Sequence, residues 1–416
     1  MPLIQSWIST ANTADCPFPL NNLPYGVFST TTLDPRCGVA IGDMILDCAQ
    51  AEKAGLLSIG DSTIFDAPVW NTLMEQGAPT WAAFRARLTA LLAKDSPDQA
   101  ALSPFLIPLA DAQMHMPFRV SEYTDFYAGR QHAENMGAIL RGSTDLPANW
   151  LHIPIGYNGR ASSVVVSGTD IHRPLGQTKA PDADMPSFGP TKRLDIELEM
   201  GAIVGTPSQM GQPITVQQAD DMIFGYVLLN DWSARDIQGW EYQPLGPFQG
   251  KAFGTSISPW IITAEALAPF RVSTPPRDKK LLPYLDEQTP GLFDIQLEVT
   301  MQPAGADKAT AVTQTNYSRV YYSAAQQLAH HAVCGCPMNT GDLLGSGTIS
   351  GPNKSEYGSL LELSWAGQKP FTLDSGETRS FIEDGDTLTL RGNAQGDGFT
   401  IGFGDCVGTI LPAVEF

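Results

Sequence analysis

The stretch LDIELEMGAIVG, residues 194–205, alternates apolar and acidic residues and then continues as an apolar run. Such alternation is typical of a β-strand, in which residues two positions apart point to the same face. Glu197 and Glu199 are therefore expected to point the same way and to repel each other unless a cation lies between them. On this stretch alone, the pair also fits the solvent-facing side of an antiparallel strand, where alternating polar residues are common.

Strand candidates on both sides of this stretch predict a mostly β chain. The segment 23–50 alternates short β-rich runs with turn residues, which indicates a small meander or barrel. The later strand candidates are residues 162–168, 194–205, 224–231, 259–266 and 293–302. The predicted helices are residues 80–94 with Thr80 as N-cap, 216–223 after Thr215 and 323–333 after Ser323.

The length predicts two domains, because the 416 residues exceed the roughly 250–300 at which a single core usually stops growing. Residues 95–118 contain several prolines and no clear period, so they are expected to be the connection out of the first domain. We therefore place an N-terminal domain at 1–117 and a C-terminal domain at 118–416. The absence of a fixed sequence repeat argues against a solenoid or propeller.

The charge of the chain excludes some classes of partner. Lys and Arg number 25 against 44 Asp and Glu, for a net charge of −19, so nucleic acid and anionic membranes are not expected partners. The first residues lack a basic segment followed by an apolar one, and no apolar run approaches the ~18 residues of a membrane span, so a cytoplasmic protein is expected. The six cysteines lack a zinc-site spacing and are expected to be reduced, mostly buried thiols.

Further acidic residues lie where a site could form. Asp231 ends the apolar run 224–231, and Asp125 lies in a segment rich in Tyr, Arg and His. If these two converge with Glu197 and Glu199, the resulting all-oxygen site selects Mg²⁺ or Ca²⁺. Lys251 either adds a positive charge there or is an ordinary surface lysine.

His132 follows Asp125 by seven residues and has two interpretations. It is either a surface or hydrogen-bonded histidine, or a base beside a metal that deprotonates water. His330 and His331 are adjacent on one predicted helix and so cannot form a joint ligand pair. The loop at 345–358 lacks a phosphate-loop pattern, and we expect it to contact a small ligand through Thr348.

Long blocks of this sequence resemble the fumarylacetoacetate hydrolase family, and the likeness covers almost the whole chain. The blocks are NLPYGVFS (22–29), YTDFYAGRQHAENMG (123–137), NWLHIPIGYNGRASSVVVSG (149–168), LDIELEM (194–200), LNDWSARDIQGWEYQPLGPFQGKAFGTSISPW (229–260) and GSGTISGP (345–352). The resemblance implies a small SH3-like barrel at the N-terminus, a larger C-terminal β-roll domain with a few short helices, and a homodimer formed mainly by the second domain.

The resemblance also implies an activity, the metal-dependent hydrolysis of the carbon–carbon bond of 4-fumarylacetoacetate to fumarate and acetoacetate, which ends tyrosine and phenylalanine breakdown through homogentisate. It implies a Ca²⁺ or Mg²⁺ site formed by Asp125, Glu197, Glu199 and Asp231, with Lys251 and Thr255 contributing near the metal. The implied catalytic residues are His132 as base, Glu362 to orient it, and Arg235, Gln238 and Lys251 to stabilise negative charge. The implied substrate contacts are Tyr127, Arg141, Tyr157, Gln238, Tyr242 and Thr348.

Other functions remain open at this point. One alternative keeps the fold and changes the substrate to an acylpyruvate or a related β-dicarbonyl acid, cleaved by hydrolysis or decarboxylation. The long matched blocks and the additional N-terminal domain argue against it. The other alternative is a non-catalytic β protein whose acidic residues bind structural Ca²⁺.

Overall fold

The protein is described here by a computed structural model that covers residues 2–60 and 63–416. The described chain is mostly β, with mixed sheets and short helices, as the sequence predicts. Its strands are β1 (Tyr25–Ser29), β2 (Arg36–Ile41), β3 (Met44–Asp47), β4 (Leu106–Pro108), β5 (Gln113–His115), β6 (Tyr123–Phe126), β7 (Gly156–Asn158), β8 (Val164–Val166), β9 (Ile171–His172), β10 (Leu175–Thr178), β11 (Ser187–Pro190), β12 (Leu194–Asp195), β13 (Leu198–Val204), β14 (Ile223–Asp231), β15 (Ser233–Ala234), β16 (Thr255–Ile257), β17 (Trp260–Thr263), β18 (Arg271–Val272), β19 (Leu292–Phe293), β20 (Gln296–Gln302), β21 (Thr310–Asn316), β22 (Leu343–Gly345), β23 (Phe371–Thr372), β24 (Thr378–Arg379), β25 (Thr387–Gln395), β26 (Thr400–Gly402) and β27 (Cys406–Leu411).

The helices are short compared with the sheets they cover. They are α1 (Cys48–Lys53), α2 (Asn71–Met74), α3 (Ala78–Leu92), α4 (Gln99–Leu102), α5 (Arg130–Arg141), α6 (Val216–Met222), α7 (Arg235–Glu241), α8 (Gln249–Ala252), α9 (Ala264–Leu267), α10 (Ala324–Ala332) and α11 (Leu360–Leu363). Among the described residues, none of these helices is long and apolar enough to cross a membrane.

One large sheet joins the N-terminal strands to strands from the middle and the later part of the described chain. Its strands follow the order β4-β3-β2-β1-β17-β14-β13-β22-β6-β7. The meander predicted for 23–50 is confirmed as β1, β2 and β3, and β1 pairs with β17, so that these strands continue into the large sheet. These pairings do not close the N-terminal strands into a separate barrel within the described residues, and the SH3-like barrel stays a prediction.

Residues 95–118, predicted to be the connection out of the first domain, also contribute strands to the large sheet. They contain β4, which pairs with β3, and β5, which pairs with β1. The physical reason is that β1 and β3 have free backbone groups on these sides, and extended segments of the same chain satisfy them. Pro108 lies in β4, an edge strand, where a residue without an N–H is tolerated.

The predicted helices are confirmed, with one corrected cap. α6 begins after Thr215 and α10 after Ser323, and both hydroxyls accept a capping bond from the backbone. α3 instead begins after Gly77, because Pro79 has no N–H to donate and suits the first turn of a helix. Thr80 lies inside the helix and donates its hydroxyl to Gln76 O at 3.2 Å.

One predicted strand is shorter than expected, and the prediction for the cysteines is confirmed. The strand predicted at 259–266 ends at Thr263, whose hydroxyl caps α9 by accepting from Ala266 N at 3.2 Å. All six cysteines are free thiols, as predicted, and only Cys334 and Cys336 reach the surface.

A second sheet, built on β20, β25 and β27, covers the buried centre of the C-terminal half together with α6 and α10.

Candidate metal and catalytic centre

Four buried carboxylates converge on strands of the large sheet. Asp125 lies on β6, Glu199 on β13 and Asp231 at the end of β14, while Glu197 directly precedes β13. One oxygen from each side chain lies within 4.8 Å of the chosen oxygens of the other three. We call these four side chains the carboxylate cluster.

The solvent-facing interpretation of the pair of glutamates is wrong. Glu197 is 5% exposed and Glu199 is fully buried. The stretch that contains them is also two strands, because β12 ends at Asp195 and β13 begins at Leu198. Both carboxylates nevertheless reach the same cluster.

Two oxygens of the carboxylate cluster receive no hydrogen bond from the described residues. Asp125 Oδ1 and Glu199 Oε1 are buried without a hydrogen-bond partner in the described part of the chain. Burial raises the pKa of Asp125 well above its usual value, and the charge of Asp231 raises it further. Burial also raises the pKa of Glu199, with Asp125 as the next contributor. Buried oxygens without donors are costly, so this arrangement favours a bound cation.

Lys251 bridges two members of the cluster. Its Nζ donates to Glu197 Oε2 at 2.6 Å and to Asp231 Oδ2 at 2.5 Å. The side chain is 7% exposed, so the alternative of an ordinary surface lysine is wrong. Lys251 lies on α8, whose Gln249 and Gly250 N–H groups donate to the Glu241 carboxylate at 3.0 and 2.8 Å.

The pKa of Glu197 differs in direction from those of its neighbours. Burial raises it, but the positive charges of Lys251 and Arg235 outweigh burial and lower the pKa below its usual value. Lys251 is held charged, because Asp231 and Glu197 raise its pKa against the effect of burial. A charged ammonium has no lone pair to offer a metal, so Lys251 can neighbour a cation but not bind it in this state.

His132 and Glu362 form a second buried unit beside the cluster. His132 Nδ1 lies 2.7 Å from Glu362 Oε2. Glu362 also accepts from Asn135 Nδ2 at 2.8 Å, Ser350 Oγ at 3.0 Å and Ser359 Oγ at 2.7 Å. We call these five side chains the imidazole arm.

The imidazole arm fixes which nitrogen of His132 is free. Burial raises the pKa of Glu362, but His132 and the hydrogen bonds outweigh burial and bring the pKa below its usual value. The carboxylate is therefore ionised and can only accept hydrogen bonds. His132 Nδ1 therefore carries the hydrogen, and in the neutral ring Nε2 has the lone pair. Nε2 lies 4.0 Å from Glu197 Oε1, so the basic nitrogen faces the carboxylate cluster.

Arg235 presents a free donor at the same place. Its Nε donates to Asp195 Oδ2 at 2.8 Å, and its NH1 lies 2.8 Å from Glu197 Oε1. NH1 also donates to Gln238 Oε1 at 3.2 Å, which connects the two predicted oxyanion donors. Arg235 NH2 is buried and has no partner among the residues that the structure describes.

Three of the predicted substrate contacts lie at the centre. The Tyr127 ring meets the His132 ring edge-on, with centroids 5.6 Å apart. Tyr157 is paired with Asp125 across the β6–β7 ladder, and burial followed by the charge of Asp125 raises the pKa of its hydroxyl. Within residues 2–60 and 63–416, the Tyr157 and Thr348 hydroxyls are buried without a partner.

Glycine allows the Thr348 loop to approach α5. A Cβ at Gly129 would lie 2.0 Å from Thr348 O, so any side chain there would separate the loop from the start of α5. This close approach brings the loop to the helix that carries His132.

The remaining predicted residues are less central. Thr255 Oγ1 donates to Asp231 Oδ1 at 3.4 Å. Arg141 ends α5 with its guanidinium on Asp145 O at 3.0 Å. Burial raises the pKa of Tyr127, and the Arg141 charge opposes this rise only in part. Tyr242 is 48% exposed and accepts from Gln243 Nε2 at 3.2 Å, so the structure does not bring its hydroxyl into the cluster.

Sequence reasoning missed two residues of the centre. The Tyr123 hydroxyl is buried with no partner in the described chain, and its pKa is raised by burial and then by Asp231. Asp195 is fully buried and bonds to Arg235. A signal for Asp195 was present, because it precedes Glu197 and Glu199 at the same two-residue spacing.

The residues present fit a hard divalent cation. All four members of the carboxylate cluster offer oxygen, which is the donor that Ca²⁺ and Mg²⁺ prefer. The unpartnered oxygens of Asp125 and Glu199, unpaired within the described residues, are the observation that supports this fit.

Family models match both halves of the chain. Residues 21–117 match the fumarylacetoacetase N-terminal model, and residues 122–411 match the fumarylacetoacetate hydrolase C-terminal model. The fumarylacetoacetase of Bos taurus is 48% identical over 419 residues, covering 99% of this chain and 100% of that protein. The fumarylacetoacetase of Arabidopsis thaliana is 46% identical over 422 residues, with coverage of 99% and 100%.

Solved structures share the fold at low sequence identity. A fumarylacetoacetate hydrolase from the psychrophilic Exiguobacterium antarcticum aligns with a TM-score of 0.52 at 15% identity, covering 94% of this chain and 99% of that one. A putative HpcE protein from Mycobacterium smegmatis aligns with a TM-score of 0.53 at 16% identity, covering 93% and 99%. These similarities concern the fold.

Proposed function

We propose that this chain, which belongs to the fumarylacetoacetate hydrolase family, is a fumarylacetoacetase. It hydrolyses the carbon–carbon bond of 4-fumarylacetoacetate to fumarate and acetoacetate, the last step of tyrosine and phenylalanine catabolism. The observation that carries the proposal is the Nε2 of His132, which faces the carboxylate cluster at 4.0 Å from Glu197 Oε1. A base and a hard-cation site side by side suit the attack of water on a dicarbonyl acid.

Asp125, Glu197, Glu199 and Asp231 are the residues that hold the cation, which we propose to be Ca²⁺ or Mg²⁺. When bound, such a cation withdraws electron density from the dicarbonyl oxygens and stabilises the negative charge that forms as the bond breaks. Lys251 and Thr255 neighbour the cation through their bonds to Asp231.

His132 activates the attacking water. Its Nε2 accepts a proton from water, while Nδ1 keeps its hydrogen bond to Glu362, which stabilises the imidazolium that forms. The water oxygen bonds to the ketone carbon of the fumaryl group, the one attached directly to the carbon–carbon double bond. The bond to the acetoacetate half then breaks, and that half leaves with the electron pair as an enolate, which takes up the proton to give acetoacetate.

Arg235, Gln238 and Lys251 stabilise the oxyanion formed by this attack. Arg235 NH2 is the donor free to do so, because its other nitrogens already bond to Asp195, Glu197 and Gln238. Removing one such donor typically lowers turnover ~10²–10³-fold.

Tyr127, Tyr157 and Thr348 contact the substrate at the centre, and Arg141 and Tyr242 contact it from the more exposed side. Hydroxyl groups can hold carboxylate oxygens without adding charge, which suits a dianionic substrate next to an acidic cluster. At the level of the whole molecule, we propose a cytoplasmic homodimer with an SH3-like N-terminal barrel and a C-terminal β-roll domain.

The deciding experiment follows the absorbance of the enol–diketone with purified protein and fumarylacetoacetate. We expect rapid loss of absorbance that stops when a chelator removes divalent cations and returns when Ca²⁺ or Mg²⁺ is added back. Acylpyruvates serve as the competing substrates in the same assay. Faster turnover of acylpyruvates would overturn the substrate, and an absence of turnover with every dicarbonyl would favour a structural cation site.

A further inference from the structure

Asp195 is a buried carboxylate for which the proposed chemistry has no direct use. It is fully buried on β12, next to the carboxylate cluster but not part of it. An ionised side chain in such a place is costly unless its oxygens receive several hydrogen bonds. The partners that supply these bonds are therefore informative.

One partner of Asp195 is the proposed oxyanion donor Arg235. Asp195 Oδ2 accepts from Arg235 Nε at 2.8 Å. This bond holds the guanidinium in the orientation that leaves NH1 on Glu197 and NH2 without a partner in the described chain. A planar guanidinium with a fixed Nε has its remaining donors fixed as well.

Two further partners of Asp195 are backbone N–H groups of the helix that carries Glu362. Asp195 Oδ1 accepts from Leu360 N at 2.7 Å, and Oδ2 accepts from Leu361 N at 3.1 Å. These two N–H groups begin α11, the short helix that carries Glu362. Glu362 in turn orients His132 through the 2.7 Å bond to Nδ1.

We propose that Asp195 is a positioning residue that holds the oxyanion donor Arg235 and, through α11, the base-orienting Glu362 in one fixed relation. This inference rests on the proposed function. It explains why a charge is kept in a buried place outside the carboxylate cluster. Both dependent groups act mainly on the transition state, so Asp195 affects turnover rather than substrate binding.

The test compares Asp195→Asn with Asp386→Asn. Asn is isosteric but presents an NH₂ group where Asp195 receives donors. Asp386 is a matched control, because it is also fully buried, bonds to Arg379 at 2.9 Å and accepts from Glu383 N at 2.9 Å. We expect D195N to lower kcat ~10²-fold with little change in KM and in Ca²⁺ affinity, as for a lost oxyanion donor. D386N is expected to keep kcat.

A double-mutant cycle separates positioning from a general structural effect. If Asp195 acts through its partners, its substitution costs much less turnover in the R235Q and E362Q backgrounds than in the wild type. Additive losses, or an equal fall of kcat in D386N, would overturn the inference. Should D195N not fold, D195E is used in the same cycle, because it keeps the charge and displaces the oxygens by one methylene.

The result also separates this inference from the proposed function. A wild-type protein without fumarylacetoacetate turnover would overturn the function and the positioning role together. An active wild type with a D195N variant of normal kcat would overturn the positioning role alone.

Discussion

The imidazole arm and the carboxylate cluster lie side by side and are built in opposite ways. In the imidazole arm, both oxygens of Glu362 receive donors, and its pKa is lowered by His132 and hydrogen bonds against the effect of burial. In the carboxylate cluster, Asp125 and Glu199 each keep one buried oxygen without a partner in the described chain, and their pKa values are raised.

This difference indicates which half of the centre needs an additional group. The imidazole arm is electrostatically complete, so its geometry is prepared before any ligand arrives. The carboxylate cluster carries an excess of negative charge that its own residues only partly compensate. A cation is therefore expected to change the stability and protonation of the cluster far more than those of the arm.

The largest expected effect comes from His132→Ala. We expect kcat for fumarylacetoacetate to fall at least ~10³-fold, because the base is lost, while Ca²⁺ affinity measured by calorimetry stays near wild type. His172→Ala is the control, since His172 is exposed and, in the described residues, its ring bonds only to Pro412 O. If H132A lost cation binding or failed to fold, the imidazole arm and the carboxylate cluster would not be independent units.

Glu199→Gln is the corresponding change in the carboxylate cluster. It keeps the shape of the side chain but removes a charge and a good oxygen ligand. We expect cation affinity to fall at least ~10²-fold, because residues that only support the ligands already contribute about 10–100-fold. Turnover at limiting cation should fall with it. Asp342→Asn is the matched control, because Asp342 is also a buried acid with an oxygen unpartnered in the described chain. Equal losses in both variants would contradict the ligand assignment.

When a chelator is present, ionisation of Glu199 in the carboxylate cluster and of Glu362 in the imidazole arm should change the stability of the fold in opposite directions. The folded pKa of Glu199 is raised from its ordinary 4.5, so its ionisation destabilises the fold as pH rises above that value. We expect E199Q to unfold at a higher temperature than wild type near neutral pH, with the difference shrinking below the ordinary glutamate pKa.

Glu362→Gln should behave in the reverse manner. Its folded pKa is lowered from 4.5, so the ionised form contributes stability above that value, and this contribution is lost as pH falls through the folded pKa. E362Q should therefore unfold at a lower temperature than wild type near neutral pH and approach it in acid. Thermal unfolding followed by circular dichroism measures both variants, and shifts of the same sign would refute the contrast.

The smallest expected effect is that of Gly345→Ala. A Cβ at Gly345 would lie 2.9 Å from Glu199 Oε2 and 3.1 Å from the Tyr123 hydroxyl, so the carboxylate must move slightly. We expect cation affinity to fall about tenfold, with the imidazole arm and the fold intact. Gly189→Ala is the control, because a Cβ there meets nothing within 4 Å in the described residues. Unchanged affinity in G345A would show that the cluster tolerates displacement.

Much of the local structure was predictable because its causes are local. The strands of 23–50 and the capped helices after Thr215 and Ser323 follow from residue spacing and side-chain capping. The N-terminus of α3 was not predicted correctly, because the threonine at 80 matched the capping pattern while Pro79 decided the start. Competing short-range signals of this kind are resolved only by the backbone.

The family and the identity of the candidate site residues were also available from the sequence, since long blocks carry both. What only the tertiary structure decided is how the acids of one short run divide their roles. Asp195, Glu197 and Glu199 follow each other at equal spacing. Asp195 bonds to Arg235, Glu197 contacts both Lys251 and Arg235, and Glu199 accepts from the backbone of Gly347. The physical reason is that spacing along a strand determines only the local direction of a side chain, whereas its partners come from segments far away in the chain. Glu362 and His132, 230 positions apart, meet only because the chain has folded.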